Sequence, residues 1–483
     1  MSRKFIFASL AAILIVSILV LGACAPAPAP APQIVKETVV VEKQVEKVVE
    51  KPVEKVVEKN VVVTATPAPE ATAAPKPKGK IVLWGWTAAL RDTLEKTGLI
   101  EDFKKAYPDI DVEIVYYPPA DVYTNLPLAI AAGQGAPDVS VVENSHIAEY
   151  VHQGGLLDLT DLIKPYKDNI VEYKLNDCQK DGKDYCVPWD GGPVVLYYRR
   201  DVFEKAGLPT DPKEVSAAIA TWDDYLKACQ TIKEKTGLSC FANNKANNYG
   251  RLYEMMLWQQ GLGYYDAKTG DVTVDSPENI ATLEMLGKFW KDNLVSDTLE
   301  WTDDWYAEMA SLDKPVASLV EASWMDVFLK SWIAPGTAGK WGVAEMPAFK
   351  AGETRAANDG GSAFVIPAQT KNAEAAKAFV EFAMLNNEKY QLGSLALSGF
   401  MPSLKSAYDD PMFLEGDSYF AGQQVRQTYA DVNGKIPSAT VYGPNYRMMN
   451  SSVATAIQKF ATGSISAADA LKGAADEIKA NLQ

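Results

Sequence analysis

Short apolar segments and helical segments alternate along the chain from residue 79 onward. Ile81–Trp84 predicts a strand, and the helical pattern after it ends at Tyr107-Pro108, because the residue before a proline disfavours the helical conformation. Val112–Tyr116 alternates apolar and other residues and predicts a second strand. Leu126–Ala132 predicts a helix and Val139–Val142 a third strand. Repeated strand–helix–strand units predict an α/β fold with mainly parallel sheets flanked by helices, whose ligands collect at the carboxyl ends of the strands.

The part of the chain after residue 78 is long enough for more than one core. It spans about 400 residues, is rich in apolar and aromatic side chains, and contains no further long polar gap. We therefore expect two lobes, each with its own core.

The amino terminus is typical of an export signal. Met1–Ala23 begins with Arg3 and Lys4, continues as an apolar run and ends in small residues directly before Cys24. This segment resembles a bacterial lipoprotein signal, which implies cleavage before Cys24 and acylation of its thiol. The alternative, an uncleaved membrane anchor, leaves the folded part on the same side. Either way we expect it outside the cytoplasm, attached to the cell membrane at the cell surface or on the periplasmic side.

Residues 24–78 predict a disordered tether. Ala25–Pro32 alternates alanine and proline, which favours extended geometry, and a Val-Glu-Lys repeat of four residues follows it. A period of four does not form a coiled-coil seam, and Pro52 interrupts a single helix. A helix that binds a partner is the alternative to a solvated spacer.

The charge of the chain argues against nucleic acid as a partner. The formal net charge is −15, and loss of Arg3 and Lys4 with the signal makes it −17. A protein this acidic without a basic stripe repels phosphate backbones.

The cysteines that remain after Cys24 are even in number, as in a disulfide framework. Three pairings are open, and we expect the two local ones, Cys178–Cys186 and Cys229–Cys240. Buried free thiols are the alternative in an oxidising compartment. Metal binding is disfavoured because the spacings are long and the chain holds only two histidines.

A series of motifs runs through residues 79–483 in a characteristic order. They are Ile81–Trp86, Phe103–Ile110, Ala129–Val139, Gly155–Ile163, Asp181–Trp189, Leu196–Leu208, Thr221–Leu226, Val274–Glu278, Gly360–Ser362 and Asn372–Phe379. In number and order they resemble the carbohydrate-binding proteins of ABC importers, the solute-binding family that includes maltose-binding protein.

The resemblance implies two α/β lobes, joined by a hinge that the chain crosses more than once, with a ligand cleft between them. By analogy, lobe 1 is 79–192 plus 313–358, and lobe 2 is 193–312 plus 359–483. It further implies a monomer without a cofactor that captures a mono- or oligosaccharide and passes it to the permease subunits of an ABC importer, without catalysis.

Aromatic and polar residues in loops at strand ends are the candidate sugar contacts. A sugar ring packs its C–H face on Trp or Tyr, and its hydroxyls need matched donors and acceptors. The candidate ligand-binding residues are Trp86, Glu143, Asn144, Trp189, Asp190, Trp258, Trp324, Asp359, Gly361 and Tyr442. Weaker candidates are Trp305, Phe400, Tyr446, Arg426 and the asparagines of 243–248. Trp301–Trp305 reads as a cleft loop or, preferably, as a partly exposed helix start.

Other patterns predict structure. Thr221 and Ser276 are placed to cap helices. Apolar residues at helical spacing predict core faces, namely Leu283, Leu286, Trp290, Phe379, Phe382, Ala383, Val453, Ile457 and Phe460.

Two other functions stay open on the residues alone. A surface glycosidase or lyase would use carboxylates, of which the chain has many, but no pair can be placed around a substrate and the common catalytic motifs are absent from the sequence. The same fold with a polyamine or another small organic solute is the second alternative, compatible with the acidic charge.

Overall fold

The computed structural model describes residues 76–86, 89–438 and 442–483. The predicted signal, the acylation of Cys24 and nearly all of the tether lie outside these residues. Within them, no helix is long and apolar enough to span a bilayer.

The strands, numbered in chain order, are β1 Gly79–Trp86, β2 Ile110–Tyr117, β3 Val139–Glu143, β4 Gln179–Lys180, β5 Lys183–Asp184, β6 Cys186–Gly191, β7 Val194–Arg199, β8 Phe241–Ala242, β9 Val295–Ser296, β10 Ser318–Ala322, β11 Trp341–Glu345, β12 Ser362–Val365 and β13 Met401–Pro402.

The α-helices are α1 Ala89–Lys96, α2 Leu99–Ala106, α3 Pro119–Ala132, α4 Asn144–Gln153, α5 Thr160–Ile163, α6 Glu172–Asp177, α7 Arg200–Lys205, α8 Pro212–Ala218, α9 Trp222–Thr236, α10 Arg251–Trp258, α11 Pro277–Lys291, α12 Asp303–Ala310, α13 Met325–Phe328, α14 Ala373–Met384, α15 Lys389–Ser398, α16 Val425–Asn433, α17 Tyr446–Ala461 and α18 Ala467–Asn481. A π turn, Leu329–Ile333, continues α13. Short 3₁₀ turns are Lys164–Asn169, Pro335–Thr337, Lys405–Asp409, Pro411–Leu414 and Ser418–Phe420.

The first lobe is built on a six-stranded sheet in the order β13-β6-β12-β3-β1-β2. Strand β1 pairs in parallel with β2 and β3, whereas β12 runs antiparallel to both β3 and β6. Val139 and Val141 face one apolar core and Val142 the other, so helices cover both faces as the alternation predicts.

The second lobe is built on a three-stranded sheet in the order β10-β7-β11. Both outer strands run antiparallel to β7, so the two-lobe α/β fold is confirmed but its sheets are mixed instead of mainly parallel. The physical reason is that strands of later chain segments enter each sheet from the opposite end. Successive residues of β7 pack into different cores, because Leu196 and Tyr198 face one and Val195 and Tyr197 the other.

Two segments lie in the opposite lobe to the one that the analogy assigns. Residues 313–358 were expected in lobe 1, but their strands β10 and β11 pair with β7 of the second lobe. Residues 359–404 were expected in lobe 2, but β12 and β13 pair with β6 of the first. The periodicity of apolar residues cannot reveal the lobe to which a segment belongs. Lobe membership is decided by which strands pair through hydrogen bonds.

The crossings between the lobes lie side by side. The Gly192 backbone N–H donates to Asn358 Oδ1 at 2.8 Å, and the Asp359 N–H donates to the Gly192 carbonyl at 2.8 Å. A Cβ on Gly192 would lie 1.9 Å from the Asp359 carbonyl oxygen, so only glycine permits this approach. The third crossing follows β13, which pairs with β6 at Gly191 and Asp190.

Sequence patterns correctly located several helices and cores. Thr221 accepts a hydrogen bond from the Asp224 N–H at the start of α9, and Ser276 accepts one from the Asn279 N–H at the start of α11. The predicted core residues lie in or against the cores; Phe382 and Phe460 are only partly buried there.

Both predicted disulfides are present. Cys178 and Cys186 join α6 to β6, and Cys229 joins α9 to Cys240, with Cα atoms 5.1 and 5.2 Å apart.

Replacing both Cys229 and Cys240 with alanine should lower the free energy of unfolding by about 2–3 kcal/mol, because the unfolded chain loses its cross-link. Urea denaturation under oxidising conditions measures this, and reduced wild-type protein, which also loses the Cys178–Cys186 disulfide, should be less stable than the variant. Equal midpoints for the variant and the oxidised wild type would contradict it.

Candidate functional site

Arg251 is the first residue of α10, and its guanidinium is surrounded by carboxylates. Its Nη1 lies 3.0 Å from Glu300 Oε2, and its Nη2 lies 2.9 Å from Glu321 Oε2 and 2.5 Å from Asp359 Oδ2. Glu321 comes from β10 and Asp359 from the second crossing. This arginine therefore ties the second lobe to a segment that leads directly into the first.

Burial alone would disfavour the charges in this cluster. It lowers the pKa of Arg251, but the carboxylates of Asp359, Glu321 and Glu300 outweigh burial and hold that pKa well above its usual value. Burial raises the pKa of Glu321 to about 7, against the attraction of Arg251. A charged Arg251 is thus surrounded by more acidic groups than it can neutralise.

Four aromatic side chains form a continuous surface next to Arg251, which we call the aromatic strip: Trp301, Trp324, Phe328 and Trp332. Consecutive ring centroids are 5.7 Å (Trp301–Trp324), 5.5 Å (Trp324–Phe328) and 5.7 Å (Phe328–Trp332) apart. The guanidinium carbon of Arg251 lies 5.5 Å from the Trp301 ring and 5.8 Å from that of Trp324. Trp324 Nε1 donates to the Asp359 carbonyl at 3.2 Å, which anchors the strip at the crossing.

Trp301 adopts a backbone conformation that is unfavourable for its side chain. Its φ is +64°, in the left-handed region, and the residue is 39% exposed. Such a conformation costs a non-glycine residue on the order of 1–2 kcal/mol. Thr302 caps α12 immediately afterwards, so the preferred interpretation of 301–305 as a helix start holds, and the cleft-loop interpretation is compatible with it.

A buried polar cluster lies beneath the crossings in the first lobe. Lys174 Nζ donates to Asn144 Oδ1, and Asn144 Nδ2 donates to Asp177 Oδ2 at 2.7 Å. Gly361, at φ +94°, leaves room for this cluster, because a Cβ there would lie 2.8 Å from Lys174 Nζ and 2.6 Å from the Asp190 carbonyl oxygen. Asp190 Oδ1 is buried without a hydrogen-bond partner among the described residues.

The charges of this cluster are strongly perturbed by burial. Burial raises the pKa values of Glu143, Asp177 and Asp190 to about 7, although Lys174 nearby acts in the opposite direction on all three. Burial also lowers the pKa of Lys174, whose carboxylate neighbours oppose the shift. The cluster is therefore sensitive to pH near neutrality.

A row of rings with unpaired polar atoms extends from β1 in the same lobe. Tyr123 stacks on His146 with centroids 3.9 Å apart, Trp86 meets Tyr123 edge-on at 6.3 Å, and Tyr150 lies 6.2 Å beyond His146. Trp86 Nε1, His146 Nδ1 and the Tyr150 hydroxyl are buried without hydrogen-bond partners among the described residues. Burial lowers the pKa of His146 to about 4, so its imidazole is neutral. Buried polar atoms without partners are uncommon in folded proteins and often mark a functional site.

Tyr442 is buried among aromatic rings. Its ring contacts Trp258 at 5.2 Å and Tyr446 at 4.8 Å in the second lobe. Burial, followed by the charges of Glu143 in the first lobe and Asp359 at the crossing, raises its pKa well above the usual value. Its neighbour Tyr446 donates to Glu254 Oε1 at 2.8 Å.

Direct contacts also join the lobes around the site. Arg447 of α17 makes a bidentate pair with Glu149 of α4, at 2.9 and 3.0 Å. Tyr173 donates to Asn433 Oδ1 at 2.7 Å, and Asn176 Nδ2 donates to the Ser438 carbonyl at 2.8 Å. The lobes are thus in contact along the site.

The structure brings most of the predicted site residues to this region. Those that belong to the groups of side chains described above are Trp86, Glu143, Asn144, Asp190, Trp258, Trp324, Asp359, Gly361 and Tyr442, and their contact with a ligand stays a prediction. Trp189 is set apart: it is 1% exposed and packs on Phe364 and Phe400 in the first-lobe core, which favours a packing role.

The weaker candidates divide similarly. Tyr446 belongs to the region. Trp305 is buried under Trp301, and Phe400 contacts Trp189. Arg426 pairs with Glu415, and Asn243 accepts hydrogen bonds from Trp290 and Asn248, as structural residues do.

Sequence reasoning missed the residues that organise the site. Arg251 and Glu254 lie in one turn of a helix, and Lys174 lies in another, at positions that resemble ordinary exposed charges. Glu321 offered a signal, since it is the penultimate residue of the apolar strand β10 and lies three residues before Trp324. For His146 the sequence offers no signal beyond its being one of two histidines.

The raised pKa values predict how stability varies with pH. Carboxyls with a pKa of about 7 when folded and about 4 when unfolded bind more protons in the folded state, so the free energy of unfolding falls as pH rises from about 4 to 7 and then levels off. Asp190→Asn should flatten this fall by up to about 1.4 kcal/mol per pH unit. Denaturation across pH 4–8 measures it.

The matched control is Glu374→Gln, at an exposed position of α14, which should leave the slope unchanged. Parallel stability curves for Asp190→Asn and the wild type would contradict the assignment.

Comparison with known proteins gives a consistent family. The sequence profile described as "Bacterial extracellular solute-binding protein" matches residues 87–389. An arabinooligosaccharide-binding protein of Halalkalibacterium halodurans is 29% identical over 84% of this chain and 90% of its own length. A lactose-binding protein of Rhizobium radiobacter is 28% identical over 78% of this chain and 86% of its own.

A solved structure agrees with this family. The ABC transporter associated binding protein from B. animalis subsp. lactis Bl-04, in complex with β-1,6-galactobiose, has a TM-score of 0.67 and 25% sequence identity. The match covers 83% of this chain and 97% of that protein.

Proposed function

Because this chain belongs to the bacterial extracellular solute-binding protein family, we propose that it captures a sugar between its lobes and delivers it to the membrane subunits of an ABC importer. The observation that carries this proposal is the inner end of the aromatic strip, where Trp301 and Trp324 lie at the lobe crossing beside Arg251 and Asp359. The strip supplies flat apolar faces, and the charged groups supply oriented donors and acceptors for hydroxyls.

The opposite lobe offers complementary chemistry. Trp86 Nε1 and His146 Nδ1 are buried polar atoms without partners among the described residues. The charge of Asp359 contributes to the raised pKa of Glu143, and the charge of Glu143 contributes to the raised pKa of Tyr442. Each matched hydroxyl contributes modestly, whereas an unmatched buried group costs about 1–3 kcal/mol. Such a site discriminates among ligands by their hydroxyl patterns.

The relatives support a sugar as the ligand. Those reported above are named for arabinooligosaccharide and lactose binding, and the solved structure contains a galactobiose. None of these names fixes the sugar of this chain. A polyamine or another small organic solute remains the alternative that the acidic charge allows.

Capture follows from differential affinity. A ligand that touches both lobes gains all its contacts only when the lobes are together, so binding shifts the population toward that state. Arg447–Glu149 and Tyr173–Asn433 are contacts that opening would break. A micromolar dissociation constant corresponds to about −8 kcal/mol. We propose that no bond of the ligand is made or broken, and that the protein acts as a monomer.

Sugar binding is tested with the purified protein against arabino-oligosaccharides, lactose, galactobiose, monosaccharides and polyamines in a thermal-shift screen, followed by calorimetry. Ligand at 100 times its dissociation constant adds about 2.7 kcal/mol to stability, so a true ligand raises the melting temperature. Trp324→Ala should weaken binding at least about tenfold, because the ring face and its link to Asp359 are lost.

The control is Leu414→Ala, an exposed residue of the second lobe outside the site, which should bind like the wild type. A hit confined to polyamines would overturn the sugar assignment. Release of product from a glycoside by pure protein would overturn the transport role.

We also propose that acylated Cys24 attaches the protein to the outer face of the cell membrane. The wild type expressed in a bacterial host should enter the detergent phase on phase partition, and its mature chain should begin at a lipid-modified Cys24. Cys24→Ser should remove the lipid mass. A wild type that stays in the aqueous phase, with an unmodified cysteine, would contradict the anchor.

A further inference from the structure

The aromatic strip extends beyond the crossing to side chains that the capture of one ring does not require. Trp324, Phe328 and Trp332 follow at intervals of four residues along α13 and the π turn Leu329–Ile333, so they share one face of this segment. A π turn inserted into a helix is frequent at functional sites.

Contacts made by the other faces of this segment explain why the face that carries Trp324, Phe328 and Trp332 is directed outward. Met325, Leu329 and Ile333 are buried in the second-lobe core. Lys330 pairs with Asp326 and with Asp417, the latter at 2.6 Å. These contacts fix the rotation of the segment and leave Trp332 51% exposed.

Trp332 is also held in place by a second ring. Tyr306 of α12 meets it edge-on, with centroids 4.9 Å apart and planes at 73°. An exposed tryptophan that is fixed by packing on two sides offers a flat apolar face with little loss of side-chain freedom on binding.

We propose that this outer part of the aromatic strip binds the outer rings of a neutral oligosaccharide longer than a disaccharide. The inference rests on the proposed sugar capture and names its ligand class. The inner rings lie over Trp301 and Trp324 next to Arg251, and the chain continues over Phe328 onto Trp332. The continuity of the strip with the crossing identifies this occupant, because the centroids advance in nearly equal steps of 5.5 and 5.7 Å.

The charges near the inner end disfavour an anionic sugar. Arg251, the cation that faces the strip, is already paired with the carboxylates of Glu300, Glu321 and Asp359. A uronic acid unit placed there would meet Glu300 and Asp359 without a free cation among the described groups that contact Arg251. Neutral sugars meet no such repulsion.

Calorimetry with the full chain and an arabino-oligosaccharide series, from the monosaccharide upward, tests the proposal; a galacto-oligosaccharide series replaces it if the screen favours galactosides. Wild-type affinity should increase beyond the disaccharide. Trp332→Ala should weaken binding of the longer sugars about three- to tenfold and leave disaccharide affinity unchanged. Trp332→Phe should retain most of the increase, and Leu414→Ala all of it.

The failures are distinguishable. No sugar binding by the wild type overturns the proposed function and this inference together. Sugar binding whose affinity does not depend on length, or that Trp332→Ala leaves intact, overturns this inference alone. If that variant instead impairs uptake by cells without changing sugar affinity, the strip contacts the permease and the inference is wrong. Tighter binding of the corresponding uronic acid oligomer would overturn the neutral class.

Discussion

The close pairing of two chain crossings is the constraint on which the site depends. Gly192 exchanges backbone and side-chain hydrogen bonds with Asn358 and Asp359 in a space that admits no Cβ. Asp359 is thereby fixed beside Arg251, and its carbonyl receives the indole N–H of Trp324. The charge cluster, the inner end of the aromatic strip and the entry of β12 into the first sheet all follow from this one contact between backbones.

Burial makes the charges in that arrangement depend on one another. A partly buried arginine requires compensation, and here three carboxylates from different segments provide it, so removal of Arg251 would leave those carboxylates uncompensated in a medium of low dielectric constant. The same burial raises the pKa values of Glu143 and Asp190 across the crossing to about 7. Both lobes therefore present polar groups whose charge is set by neighbours instead of water, and a ligand that displaces water changes their balance.

The sequence allowed prediction of whatever depends on local periodicity or on a motif. Thr221 and Ser276 correctly predicted the starts of their helices, and the two local cysteine pairs are present as predicted. Trp324, Asp359 and Gly361 are candidate ligand contacts from the sequence because they adjoin strand ends or glycines, and the structure places them together at the crossing. Arg251 was not, because its importance comes from Glu300, Glu321 and Asp359, which are 49 to 108 positions away. The prediction that 313–358 belongs to lobe 1 was wrong for the same reason, because strand partners are determined by long-range hydrogen bonds that no local pattern encodes.

Trp189 and Trp332 show how far residue type alone can guide a search for a sugar site. Both are tryptophans. Trp189 lies in a family motif and was therefore a predicted sugar contact, but it is buried against Phe364 and Phe400. Trp332 lay in a segment without a motif, yet packing of Leu329 and Ile333 on one face and the ion pairs of Lys330 on another expose its ring. An aromatic face becomes available to a ligand when core packing and ion pairs hold the other faces of its helix against the protein. These contacts are long-range, so the fold, and not the four-residue spacing alone, decides that Trp332 is exposed for binding.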